Sequence, residues 1–152
     1  MKIRSDFVTN SSSSSFILGF TSEEAAEKEL ALETAITDEE KKTVLFDCKR
    51  SGFVPFAEIE GEARELIKSD AFLDAKIYHA WREHYDKYAD WCDSPECAQL
   101  EKDVYAEKYE EFKKSAEGKE VFSIVSYDDH CNYKLESALY HLNCTVLAIN
   151  CH

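Results

Sequence analysis

The stretch Phe7-Val8-Thr9-Asn10-Ser11-Ser12-Ser13-Ser14-Ser15-Phe16, running on into Ile17-Leu18-Gly19-Phe20, decides how the rest of the chain is read. Its five-serine run ends sharply in an apolar block instead of fading into polar sequence, as a linker would. The serines therefore read as a loop feeding a strand over about 15–20. The near-continuous apolar run fits a strand buried on both faces. Residues 2–8 are compatible with a further extended segment.

Outward from this stretch, the pattern is mostly helical. Thr21 with Glu24 has capping-box spacing and predicts a helix to about Ala35; Thr37 with Glu40 repeats the box. The second box favours a short helix carrying Val44, Leu45 and Cys48 and stopped by Gly52, over a strand at 43–47. Beyond Pro55, the residues Phe56, Ile59, Ala63, Leu66 and Ile67 line one helical face. Ser69 or Asp70 is expected to cap a helix reaching about Trp91. Ser94-Pro95-Glu96 then restarts a helix to about Ala116, with an N-cap serine, a proline at the first position and an acid in the first turn. Two such helices joined by Cys92-Asp93-Ser94 predict an antiparallel hairpin. After Gly118, a strand over 121–127, a short helix carrying Leu135, Leu139 and Leu142, and a strand over 144–149 close the chain.

The expectation is one α/β domain over 1–152, with α+β as the alternative. A small sheet of three to four strands, drawn from about 1–20 and 119–152, would carry packed helices. Residues 55–117 would form a long helical insertion. At 152 residues the chain is long enough to bury its own core, and 44% apolar content argues against disorder. The formal charge of −13 disfavours binding to nucleic-acid backbone or an anionic membrane. No apolar run approaches the ~18 residues of a membrane span. No apolar block follows the basic start at Lys2 and Arg4, so a cytoplasmic setting is expected, with the six cysteines as thiols.

Lys2 to Ser11 and Ser15-Phe16-Ile17 resemble a signature of many uncharacterised bacterial proteins that begin Arg-x-x-Phe-Val-Thr-Asn-Ser-Ser-Ser-Ser-Ser-Phe. Several also resemble this chain at its other end, through Ser126-Tyr127-Asp128-Asp129, Leu135-Glu136-Ser137 and Ile149-Asn150-Cys151-His152. The family pattern closes on paired histidines where this chain has Cys151-His152. The resemblance covers roughly the first 17 and last 30 residues and carries no activity over. With both matching ends supplying strands, the sheet reads as a common scaffold and the helical middle as a variable insertion, the usual place for partner choice.

Three candidate sites follow. Asn10, Ser11, Ser12, Ser13, Ser14 and Ser15 offer N–H groups and hydroxyls for an anion, though without the glycine of a phosphate loop. Asp128, Asp129, His130 and Cys131, with Cys151 and His152 at the next strand's end, would gather a metal ion if those ends were neighbours. No other cofactor is expected. Trp81, Tyr85, Tyr88, Trp91, Tyr105 and Tyr109 are aromatic anchors for an interface on the hairpin. No nucleophile elbow, Gly-rich fingerprint or Cys-x-x-Cys pair appears. The chain reads as a non-enzymatic binding or regulatory protein, acting on a protein partner or on itself through its acidic, aromatic-rich hairpin. The alternative is a small enzyme or ligand-binding domain built on the serine-rich loop and the Asp128–Cys131 loop.

Overall fold

Three strands and six helices are seen in a computed structural model that describes residues 13–71, 74–83, 91, 93–128 and 133–151. Strand β1 (Ser13–Phe20) is the centre of a three-stranded sheet, between β2 (Val121–Asp128) and β3 (Thr145–Cys151). It is antiparallel to both. The outer strands therefore run in the same direction without touching. Helix α6 (Tyr133–Leu139) connects them, and the chain passes over β1 on the way. The last two strands are therefore separated by a strand's width and are not adjacent. Against β3 the register of β1 slips between Ile17 and Leu18, a bulge that turns both Val146 and Leu147 toward one face.

The buried apolar run of β1 is covered on both sides. Phe16, Leu18 and Phe20 face a cluster with Val44 and Cys48 of α2 (Asp38–Ser51), Leu30 of α1 (Ala26–Ala31) and Leu135 and Leu139 of α6. Ile17 faces the other side, against Ile59, Ala63 and Ile67 of α3 (Phe56–Ala71) and Phe112 of α5 (Pro95–Ala116). Gly19 sits where a side chain has no room: a Cβ there would lie 2.8 Å from Val146 Cγ2 and 3.0 Å from Phe122 Cε1.

Helix boundaries follow local side-chain chemistry. At α2 the Thr37 capping box forms in both directions, and Gly52 ends the helix at φ 98°. That excludes the strand alternative at 43–47. The Thr21–Glu24 box does not form. Instead the Thr21 N–H and hydroxyl both donate to the Glu29 carboxylate, Ser22 Oγ accepts from the Ala25 N–H, and α1 runs only over Ala26–Ala31. Past α1, the buried Glu33 carboxylate accepts from the Asn143 and Cys144 N–H groups, tying this turn to the entry of β3. Ser69 and Asp70 belong to the last turn of α3. The cap of α4 (Ala75–Arg82) is Asp74, which accepts from the Lys76 N–H at 2.8 Å. Ser94 caps α5 with Pro95 in its first turn, as the sequence predicts. Among the described residues, the expected first arm of a long hairpin is represented by α4 and by helical Trp91; residues 84–90 lie outside the described residues. Among the described residues no helix is long and apolar enough to cross a membrane.

Burial sets an alkaline limit. The Cys48 thiol is pushed up from 9.0 to about 12 by desolvation, and Asp47 adds to this while a Ser123 hydrogen bond opposes it. Burial also raises the Cys144 thiol, and burial with the Asp47 hydrogen bond raises the Tyr127 phenol. The unfolded thiol ionises where the folded one stays neutral, so its stabilising contribution is complete below pH 9.0 and is lost as pH rises toward 12. On the alkaline side, denaturant titrations should show stability level up to pH 9.0 and falling above it, by up to about 1.4 kcal/mol per pH unit per group. Cys48→Ala should shallow that slope.

Candidate functional site

The serine run enters the sheet earlier than its composition predicts. Ser13 is already paired, with Asp128 of β2 on one side and Cys151 of β3 on the other. Polar side chains are tolerated there because α6 supplies partners. The Ser14 hydroxyl, fully buried, donates to Glu136 Oε1 at 2.6 Å and lies 3.0 Å from the Tyr140 hydroxyl. Ser126 Oγ donates to the Ser14 carbonyl at 3.2 Å. Ser15, on the opposite face, is buried with an unpartnered Oγ, and Asn150 carries an unpartnered Oδ1.

One end of the sheet therefore gathers the two sequence regions that resembled the bacterial signature. Ser14 from the serine run and Glu136 from Leu135-Glu136-Ser137 form a direct charged hydrogen bond between residues 122 apart in the chain. Sequence reasoning named Ser14 as a candidate and quoted Glu136 without a role; nothing in their spacing pairs them. The carboxylate takes up the Ser14 hydroxyl and places negative charge where an anion would need positive. Of the other anion candidates, Asn10, Ser11 and Ser12 lie outside the described residues.

The metal candidates are split the same way. Asp128 and Cys151 flank Ser13 through the strand register, so the two strand ends lie at the same end of the sheet with β1 between them and are not neighbours. Asp129, His130, Cys131 and His152 are outside the described residues. Among the described residues no group of three His, Cys, Asp or Glu side chains is placed to hold a metal ion.

The aromatic candidates divide by burial. Trp91 is buried in a small cluster with Ala71, Ile77, Cys97 and Val104, so its area is spent on packing. Trp81 is half-buried against the same cluster, and Tyr85 and Tyr88 are outside the described residues. Tyr105 and Tyr109 are half-buried and stacked on each other, centroids 6.1 Å apart. Tyr109 donates to Glu60 and accepts from Arg64 Nη2 at 3.1 Å, while Lys113 Nζ lies 5.0 Å from its ring centroid. Tyr105 instead lines a groove of about 530 Å³ between α3 and α5, whose walls carry Arg64, Lys68 and Lys102 beside Glu65 and Glu101, over Ala71 and Ala98. Sequence reasoning missed the three cations. Arg64 and Lys68, one turn apart on the outer face of α3, were the available signal.

The acidic face of α5 is partly neutralised within the fold. Glu107 pairs with Lys76 at 2.5 Å, Glu110 with Lys113 at 2.9 Å, and Asp103 accepts from Gln99 at 2.9 Å. No family model, curated protein or solved structure matches the chain.

The Ser14–Glu136 contact is open to a direct test. Ser14→Ala leaves a buried carboxylate without its donor and should cost about 2–3 kcal/mol in urea unfolding. In a Glu136→Gln background the same substitution should cost about 1 kcal/mol less, because the charged acceptor is gone. Equal costs in both backgrounds would mean that the two side chains are not coupled.

Proposed function

We propose that this chain is a non-enzymatic binding protein whose partner lies in the groove between α3 and α5. The observation that carries the proposal is a local relief of negative charge. On a chain of formal charge −13, this groove sets three cations, of which Arg64 is also paired with Glu60 at 3.7 Å, against two carboxylates around an apolar floor and one tyrosine. Among the described residues, neither Lys68 nor Lys102 forms an ion pair, so their charges stay available. The groove runs between two helices and suits an amphipathic partner helix with apolar residues inward and acids along its flanks. The partner surface thus shifts from the acidic face of the sequence-predicted hairpin to the seam of α3 and α5. Reduced, buried thiols at Cys48, Cys97 and Cys144 suit a cytoplasmic setting.

A second proposal, a small enzyme or ligand-binding domain at the sheet end, is supported by the convergence of Ser13, Asp128 and Cys151. Against it stands the commitment of Ser14 to Glu136.

A photo-crosslinking phenylalanine at position 105, introduced in the host cell, tests the groove. Covalent capture should concentrate in one partner, with the crosslink mapping to a helical, acid-flanked segment. Lys68→Glu with Lys102→Glu should reduce that capture at least about tenfold. Capture spread over many proteins, or unchanged by the charge reversals, would reject the groove as the binding site.

A further inference from the structure

The two edges of the sheet are not equivalent. The outer edge of β2 is partly closed by Val54, whose N–H and C=O exchange 2.8 Å hydrogen bonds with Phe122. Among the described residues, nothing pairs with the outer edge of β3. The ladder fixes which groups that edge offers. Because Phe122 points its N–H and C=O outward to Val54, its partner Gly19 points toward β3, as the Gly19 N–H to Cys144 carbonyl bond of 2.8 Å confirms. By alternation Ile17 and Ser15 also point toward β3, where they meet Leu147 and Ile149. Ala148 and Asn150 are left with backbone N–H and C=O groups directed away from the sheet.

Open edges are normally blunted by charge, by proline or by a covering segment. β3 reads Thr-Val-Leu-Ala-Ile-Asn-Cys, with neither a charge nor a proline. Thr145, Val146 and Ile149 are β-prone, and Asn150 adds an unpartnered, shielded Oδ1 at the end of the strand. Beside the edge runs a cleft of about 170 Å³, lined by Val146 to Ile149 and by Asp70, Lys108 and Glu111. The single ammonium there is already shared: Lys108 Nζ lies 3.2 Å from Asp70 and 3.5 Å from Asp74. Asp70 and Asp74 thus flank one lysine, and Glu111 shares the cleft with it, along a neutral strand.

We propose that the outer edge of β3 accepts an extended peptide segment as a fourth strand, with apolar residues at alternate positions and Lys or Arg at its ends. Main-chain bonds to Ala148 and Asn150 supply the attachment. Charge selects the occupant. A second copy would bring another chain of −13 against the cleft that holds Asp70 and Glu111, whereas a basic segment meets attraction there. This surface is separate from the α3–α5 groove and stands without it.

The test uses a displayed library of short random peptides, selected on the full chain and scored against Ala148→Pro. Proline at 148 removes an outward N–H and leaves the bonds to β1 in place. The selected pool should be β-prone and flanked by Lys or Arg. It should bind Ala148→Pro at least about tenfold more weakly and lose affinity as salt rises. Amide exchange guards against a misfolded variant: Leu147 and Ile149 should stay protected in Ala148→Pro, and in the original chain peptide should newly protect Ala148 and Asn150. No enrichment, equal binding to both chains, a pool without basic residues, or peptide binding that leaves Ala148 and Asn150 unprotected would overturn the proposal. So would a sedimentation mass of two chains that Ala148→Pro returns to one, since the edge would then belong to a second copy.

Discussion

Burial of β1 on both faces is the constraint on which the rest of the structure depends. Phe16, Ile17, Leu18 and Phe20 have no exposed surface, and burial of each such side chain is worth about 1.5–3 kcal/mol. A strand that apolar on both faces needs helices above and below and a paired neighbour on each side. All of the pairing comes from the far end of the chain. The ladder to β2 and β3, the Gly19–Cys144 bond and the Ser14–Glu136 bond each join the first residues of the fold to the last. The helices between are carried on a closure of long range, whose entropy must be offset before either face is sealed.

That closure explains where polar groups are tolerated. Ser14 and Glu136 are both buried, and each supplies the other's partner; Glu33 is buried because two N–H groups from the entry to β3 meet it. The same logic puts charge at the surface. Two of the acids on α5, Glu107 and Glu110, are balanced by lysines on α4 and α5, while the seam of α3 and α5 keeps lysines to spare. Electrostatic contrast, more than any cluster of reactive groups, distinguishes this surface from the remainder of an acidic protein.

Elements whose signals are local were legible in the sequence. The Thr37–Glu40 box, the Ser94-Pro95 start and the apolar run of β1 act within a turn or a strand, and each is found as expected. The first box failed because Glu29, not Glu24, met the Thr21 N–H, a competition that spacing alone does not decide. Strand order was not legible, since it depends on which edges meet across more than a hundred residues. The site suffered for the same reason. Ser14 and Glu136 are recognisable only once β1 lies between β2 and β3, and the cations of the groove become a group only when α3 and α5 pack.

Native-state hydrogen exchange resolved by residue tests the central role of β1 most directly. If both ends of the chain close on this strand, the amides of Phe16, Ile17 and Leu18 should be among the slowest to exchange. They should open only with global unfolding, in step with their partners in β2 and β3. Exchange of β1 through a smaller opening, while α3 and α5 stay protected, would show that the helices hold themselves together. The strand would then be an addition to the fold and not its centre.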